Sequence, residues 1–334
     1  MSTFIIAEAG VNHNGDIELA KKLVDMAVEC GADAVKFQTF KAYECAGVFA
    51  EKAQYQNENM PINESQFDMI SKLELSFEQF IKIKRYCDKK GIIFISTPDG
   101  IESLDFLISL DVPLIKIGST EITNLDFLKS IGETGKPIIL STGMSTLGEV
   151  ENAINTIYST GNKDVRIMHC TTDYPTSIED VNIKAMITMK NAFQVSVGFS
   201  DHTLGFEAAI SAVSLGAEFI EKHITLDRSM EGPDHKASMP PVEFKEYVKY
   251  IRNTEKLLGD GIKKPTEREK VIMKDVRRSI VAAFDLKKGT MLEKSMLTYK
   301  RPGNGIKPEF TDVLIGKELK RALSKDEVIS WVDV

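Results

Sequence analysis

The feature that most limits what this chain can fold into is a repeat of short, β-branched, apolar runs over its first 225 residues, at 4–7, 34–39, 92–97, 114–119, 137–141, 165–171, 196–200 and 217–223. Stretches with helical spacing lie between them. Over 17–30, Leu19, Leu23, Met26 and Ala27 share one face ahead of Gly31, a fitting C-cap, and a second helix is predicted over 77–90. Alternating strands and helices imply a parallel sheet, and eight units fit a closed (β/α)8 TIM barrel better than an open α/β sheet. No Gly-x-Gly-x-x-Gly turn supports the open alternative.

Each run ends in polar residues: Glu8 to Gly15, Lys36 with Gln38, Ser96-Thr97-Pro98, Lys116 with Ser119, Ser141-Thr142-Gly143, His169 to Pro175, Ser200-Asp201-His202 and Glu221-Lys222-His223. A closed barrel gathers the C-terminal ends of its strands on one face, so these clusters are expected to surround a single pocket. With 42 basic and 49 acidic side chains the net charge is −7, which disfavours nucleic acid or an anionic membrane as a partner while leaving room for a local basic pocket. The start lacks the pattern of a signal peptide, and no apolar run reaches the roughly 18 residues that span a bilayer, so a cytoplasmic location is expected. Cys30, Cys45, Cys87 and Cys170 form no C-x-x-C pair and read as reduced thiols.

The barrel is expected over 1–262, a charged linker over 263–278, and a small β-rich module over 279–334. A module of that size has a thin core and needs a surface to dock on.

Three constellations carry chemistry. His202 and His223 close adjacent staves, so both imidazoles can face one divalent ion; two nitrogen ligands with open positions suit manganese first, magnesium or cobalt next, rather than zinc. Lys36, Thr97, Lys116, Ser119 and Ser141 make an arc of cations and hydroxyls suited to an anion. Glu8 and Glu221, on strands that neighbour each other in a closed barrel, offer general acid and base without the sequence saying which is which. Lys36, Lys116 and Lys222 also permit a Schiff-base aldolase, a rival route.

The motifs E-A-G-V-N-H-N-G, V-K-F-Q-T-F, K-I-G-S, L-S-T-G-M, H-C-T-x-x-Y-P, G-F-S-D-H-T, I-E-K-H and G-P-D-H-K-A-S occur in this order. Together they resemble the sialic acid synthase family, and K-R-P-G-N-G-I is similar to the antifreeze-like (SAF, β-clip) domain that this family carries after its barrel. The resemblance implies condensation of phosphoenolpyruvate with an N-acetylated amino sugar to a nine-carbon α-keto acid and phosphate, a divalent metal, and a domain-swapped homodimer. It implies phosphoenolpyruvate at Lys36, Gln38, Thr97, Lys116, Ser119 and Ser141, and sugar at Tyr174, Ser200 and Asp234. It further implies that Arg301 of one chain reaches the sugar pocket of the other. N-acetylmannosamine is the first expected acceptor, giving N-acetylneuraminate. The alternative is 2,4-diacetamido-2,4,6-trideoxymannose, giving N,N'-diacetyllegionaminate, for which Asp173 and 43–59 are candidate wall residues. A rival from another class is a non-catalytic carbohydrate-binding barrel, which the fold alone permits. The roles of His13, His169 and His235 stay open.

Overall fold

The computed structural model describes residues 2–52 and 65–334. All eight apolar runs form strands: β1 (Phe4–Gly10), β2 (Ala34–Thr39), β3 (Ile93–Pro98), β4 (Ile115–Ile117), β5 (Ile138–Ser141), β6 (Val165–His169), β7 (Val197–Asp201) and β8 (Phe219–His223). They pair in parallel in the order β3-β2-β1-β8-β7-β6-β5-β4, and β3 lies beside β4, so the sheet curls into a nearly closed barrel. The run expected over 114–119 shortens to three residues, because the tight turn Ser119–Glu121 takes the chain out of the ladder.

Local chemistry sets the helix ends. Asp16 caps Ile17–Cys30 by accepting from the Glu18 amide, and Gly31 closes it in the left-handed region at φ 84°. Ser76 and Gln79 form a reciprocal capping box that starts Phe77–Lys90. These helices bury their apolar stripes against the outer face of the barrel, so the strands are covered on both sides.

Inside the barrel, period-two alternation stacks side chains in layers. Ile6, Ala34, Ile95, Leu114, Ile139, Met168 and Phe219 pack together as an apolar floor. Two residues further along the same strands stand Glu8, Lys36, Thr97, Lys116, Ser141, Cys170 and Glu221. The polar chemistry therefore begins one layer above a dry plug.

The chain divides into two compact units, 1–259 and 260–334. In the second, the segment read as a linker contains a helix, Glu267–Val276, which opens with a Thr266–Glu269 capping box. There β9 (Ser279–Ala282) pairs antiparallel with β10 (Leu297–Lys300) over a small core that includes Ile280, Leu286, Leu314, Leu323 and Ile329. Among the described residues no helix is long and apolar enough to cross a membrane.

The floor depends on one glycine. A Cβ at Gly198 of β7 would overlap the Phe219 ring and its carbonyl oxygen. Gly198→Ala should therefore lower the unfolding free energy in urea by about 1–3 kcal/mol through overpacking, and an unchanged midpoint would show that the ring has room to move.

Candidate active site

A cavity of about 350 Å3 opens above the apolar floor of the barrel. At its base two carboxylates and two ammonium groups stand together, each side chain at most 4% exposed. Lys36 Nζ lies 2.9 Å from Glu8 Oε1 and 3.7 Å from Glu221 Oε2, and it donates to Thr97 Oγ1 at 3.2 Å. Lys116 Nζ lies 3.5 Å from Glu221 Oε1 and donates to Ser141 Oγ at 2.7 Å. Ser200 Oγ donates to Glu221 Oε1 at 3.0 Å, and Gln38 Nε2 donates to Glu8 Oε1 at 3.3 Å. One oxygen of each carboxylate, Oε2 of Glu8 and of Glu221, is buried without a hydrogen-bond partner.

These environments separate the two acids. Burial pushes the Glu8 carboxyl up to about 7, with Lys36 pulling it back and Glu221 adding to the rise. Burial also opposes ionisation of Glu221, but Lys116, Lys36 and His223 together outweigh it and hold the group at about 2. Near neutral pH, Glu8 gains and loses its proton while Glu221 stays an anion. Burial lowers Lys116, whereas for Lys36 the nearby Glu221 and Glu8 more than offset the same penalty.

The paired imidazoles form another wall. His202 and His223 stand with ring centroids 5.4 Å apart at 71°, and the Tyr174 ring lies 4.2 Å from His202 and 5.5 Å from His223. Burial lowers both histidines, His202 to about 4, so both rings are neutral at pH 7. His202 Nδ1 faces the Thr171 carbonyl at 2.6 Å and donates to it, which leaves Nε2 with a lone pair. The Ser200 hydroxyl, 3.2 Å from that Nε2, has one proton, and the Glu221 carboxylate takes it. His223 Nδ1 is buried without a hydrogen bond, 3.9 Å from Asp234 Oδ2. Asp234 is itself raised to about 6 by burial. Among the described residues no cluster of three or more His, Cys, Asp or Glu is arranged to hold a metal. The ring nitrogens left as donors, His202 Nε2 and the unpartnered His223 Nδ1, are the two that could take a divalent ion whose remaining positions come from water or substrate.

Around this cavity stand the acid–base pair Glu8 and Glu221, the anion-binding candidates Lys36, Gln38, Thr97, Lys116, Ser119 and Ser141, the sugar candidates Tyr174, Ser200 and Asp234, and His202 with His223; Arg301 is exposed and belongs to the second unit. Ser119 also lines it, accepting from the Gly143 amide at 3.0 Å beside Cys170 Sγ at 3.2 Å. Lys222 requires correction. It sits between Glu221 and His223 on β8, so alternation turns it to the outer face, where its Nζ lies 3.2 Å from Asp201 Oδ2. It cannot serve a Schiff base in the cavity. His169 and His235 are structural: the first bonds the Val181 carbonyl at 2.7 Å, the second sits between Thr225 and Asn14. His13 is buried outside the cavity lining, with Nδ1 accepting from the Gly15 amide.

The sequence reading missed two features of the wall, although Glu44 falls within its 43–59 candidates. Glu44, Asp99 and Glu121 line an acidic side, where burial and then Glu121 raise Asp99 to about 7. Asp99 directly follows the Ser96-Thr97-Pro98 cluster and Glu121 lies two residues past Ser119, so both were within reach of the strand-end argument. Val11, Phe40, Met69, Ile70 and Leu73 form an apolar side that joins three separate segments and has no signature in any of them. Asp173 does not line the cavity; of 43–59, Glu44 and Cys45 do, and 53–59 lie outside the described residues.

Comparison with known proteins identifies the family. Residues 23–263 match the NeuB family and 277–334 match the SAF domain. The chain is 48% identical to the N,N'-diacetyllegionaminic acid synthase of Campylobacter jejuni over 98% of each chain. It is 33% identical to human N-acetylneuraminate-9-phosphate synthase over 98% of this chain and 91% of that one. The crystal structure of N-acetylneuraminic acid synthetase from Leptospira borgpetersenii, in complex with citrate, matches with a TM-score of 0.71 at 32% identity, over 82% of this chain and 90% of that one. The chain belongs to the NeuB family of sialic acid synthases and is an enzyme of that kind, a catalytic barrel followed by an SAF domain.

Proposed function

We propose that this enzyme joins C3 of phosphoenolpyruvate to C1 of an N-acetylated amino sugar, adds the oxygen of water at the former C2, and releases phosphate, giving a nine-carbon α-keto acid. The observation that carries this reading is one cavity holding two buried lysines, two carboxylates in different protonation states and two neutral imidazoles. Lys36 and Lys116, with Thr97, Ser119 and Ser141 alongside, supply charge and directed donors for the phosphate and carboxylate of phosphoenolpyruvate, and Gln38 orients Glu8. Because Glu8 Oε1 already accepts from Lys36 and Gln38, its proton resides on Oε2, from which it passes to the sugar oxygen as the carbon–carbon bond forms. Glu221, an anion in the resting site, takes one proton from the water that attacks C2 and gives it to the departing phosphate; the other proton of that water returns to Glu8 as C2 becomes a carbonyl and its bond to the phosphate oxygen breaks. Tyr174, Ser200 and Asp234 bind the sugar.

His202 and His223 would hold a divalent ion, manganese first and magnesium or cobalt next. When bound, such an ion supplies Lewis-acid polarisation of the sugar carbonyl.

For the acceptor, two observations support the second of the two sugars expected from sequence. The apolar side built from Val11, Phe40, Met69, Ile70 and Leu73 suits a 6-deoxy carbon and a second acetamido methyl better than a hydroxymethyl group. Relatives at 48% identity are named N,N'-diacetyllegionaminic acid synthases, against 33% for the human N-acetylneuraminate-9-phosphate synthase. The acceptor in this reading is 2,4-diacetamido-2,4,6-trideoxymannose. The enzyme works in the cytoplasm as a homodimer in which Arg301 of one copy hydrogen-bonds the acetamido oxygen in the other copy's cavity.

Phosphate release measured side by side should give kcat/KM at least about 10-fold higher with the diacetamido sugar than with N-acetylmannosamine, since one well-placed apolar group discriminates by 1–3 kcal/mol. Excess chelator should stop both reactions; full turnover in chelator would remove the metal, and equal rates would return the acceptor to N-acetylmannosamine. The pH profile tests Glu8: with a folded-state value of about 7, its proton is present below that pH and lost above it, so kcat/KM should fall on the alkaline side of 7. Glu8→Gln should lose about 100-fold or more in kcat together with that limb, and wild-type turnover would refute the role. Mixing Arg301→Ala with Glu221→Gln subunits should restore part of the activity through hybrid cavities. No recovery despite demonstrated subunit exchange would confine Arg301 to its own chain.

A further inference from the structure

The outer face of the barrel holds a buried ion pair that the proposed chemistry does not use. Asp201 and Lys222 are register partners on β7 and β8, one rung beyond the pair Ser200 and Glu221. Alternation sends Ser200, Glu221 and His223 inward and Asp201 and Lys222 outward. Both outward groups are 1% exposed, beneath the helix Pro241–Leu258. Asp201 Oδ2 accepts from Lys222 Nζ at 3.2 Å and from the Tyr247 hydroxyl at 2.9 Å, while Oδ1 accepts from the Thr203 amide at 2.9 Å and its hydroxyl at 2.7 Å. Lys222 Nζ also donates to the Thr203 carbonyl and lies 5.4 Å from the centre of the Tyr247 ring.

This arrangement straddles His202. The strand β7 ends at Asp201, so His202 stands one residue past the ladder, where its carbonyl accepts from the Thr176 amide at 2.9 Å. Its two neighbours, the Asp201 side chain and the Thr203 carbonyl, are both tied to Lys222. Lys222 in turn lies between Glu221 and His223. One lysine thereby links the residues on either side of His202 to the strand that carries His223. A buried ion pair is no more stabilising than a well-packed apolar pair, so stability alone does not account for it. What a directed, fully bonded pair adds is a single geometry across two strands.

We propose that Asp201 and Lys222, braced by Tyr247, are positioning residues that hold His202 and His223 side by side, edge to face, for a divalent ion. The proposal rests on the reading of these histidines as metal ligands. Such outer contacts typically change metal affinity 10–100-fold.

The test uses the full chain with Asp201→Asn and Lys222→Met combined, which removes both charges and the link between strands while leaving an acceptor for Thr203. Tyr247→Phe is the milder companion, since it loses the hydroxyl and keeps the ring. Mn2+ binding followed by electron paramagnetic resonance should weaken about 10-fold or more in the double variant and several-fold in Tyr247→Phe, with phosphoenolpyruvate affinity unchanged. Nitrogen-15 imidazole spectra of the metal-free protein should show His202 as a single Nδ1–H tautomer in wild type and a mixture in the double variant. Wild-type Mn2+ affinity together with an unchanged tautomer in the folded double variant overturns the proposal. Where that variant does not fold, the same two readings on Tyr247→Phe decide. If wild-type protein binds no Mn2+, the metal reading fails and the tautomer alone judges the positioning role.

Discussion

Two carboxylates and two ammonium groups, all nearly dry, share the space above the barrel floor, and the rest of the structure is arranged to make that tolerable. Moving one such charge out of water costs several kcal/mol even after relaxation. Lys36 and Lys116 face Glu221 from two sides and Lys36 also faces Glu8, so with both acids ionised the quartet is neutral and each charge has a counter-charge within 4 Å. The balance is uneven by design. Glu221, with two lysines and a serine hydroxyl, remains ionised, whereas Glu8, sharing one lysine, sits near the pH at which it can give up a proton. Breaking the quartet anywhere strands a charge, which couples the stability of the site to its chemistry.

The barrel supplies the rigidity this needs. The apolar floor excludes water from below, and the helices cover the strands from outside, so the charged layer has solvent on one side only. The interactions within it are correspondingly strong. In the proposed reaction, phosphoenolpyruvate meets lysines that are already in place, so little reorganisation accompanies its binding.

Polar networks also lie behind the site. The Asp201, Lys222, Tyr247 and Thr203 group occupies the layer between strands and helix where apolar packing is the rule, directly behind the two imidazoles. On the loop side, Asn12 bridges the Ile224 carbonyl and Ser238 Oγ at 2.8 Å each, and Ser238 donates to the Asp234 carbonyl. The N-H-N-G and G-P-D-H-K-A-S motifs thus meet to hold the loop that carries Asp234.

The sequence by itself determined the barrel, because eight short apolar runs separated by helical spacing leave few other ways to bury both faces of a parallel sheet. It also determined the polar set at the strand ends, since closure gathers those ends whatever the details of packing. The outward turn of Lys222 was legible as well: it follows from strict alternation between Glu221 and His223, a rule that grouping the strand-end residues together had overlooked. Three things were decided only by tertiary structure. The protonation states of Glu8 and Glu221 depend on burial and on which lysine faces which oxygen, and identical side chains at identical strand ends would titrate differently under other packing. The apolar side of the cavity exists only where Val11, Phe40 and the segment 69–73 converge. The brace behind the imidazoles needs Tyr247 from a helix that follows the last strand. In each case the deciding quantity is a distance between residues far apart in the chain, which periodicity and motif cannot carry.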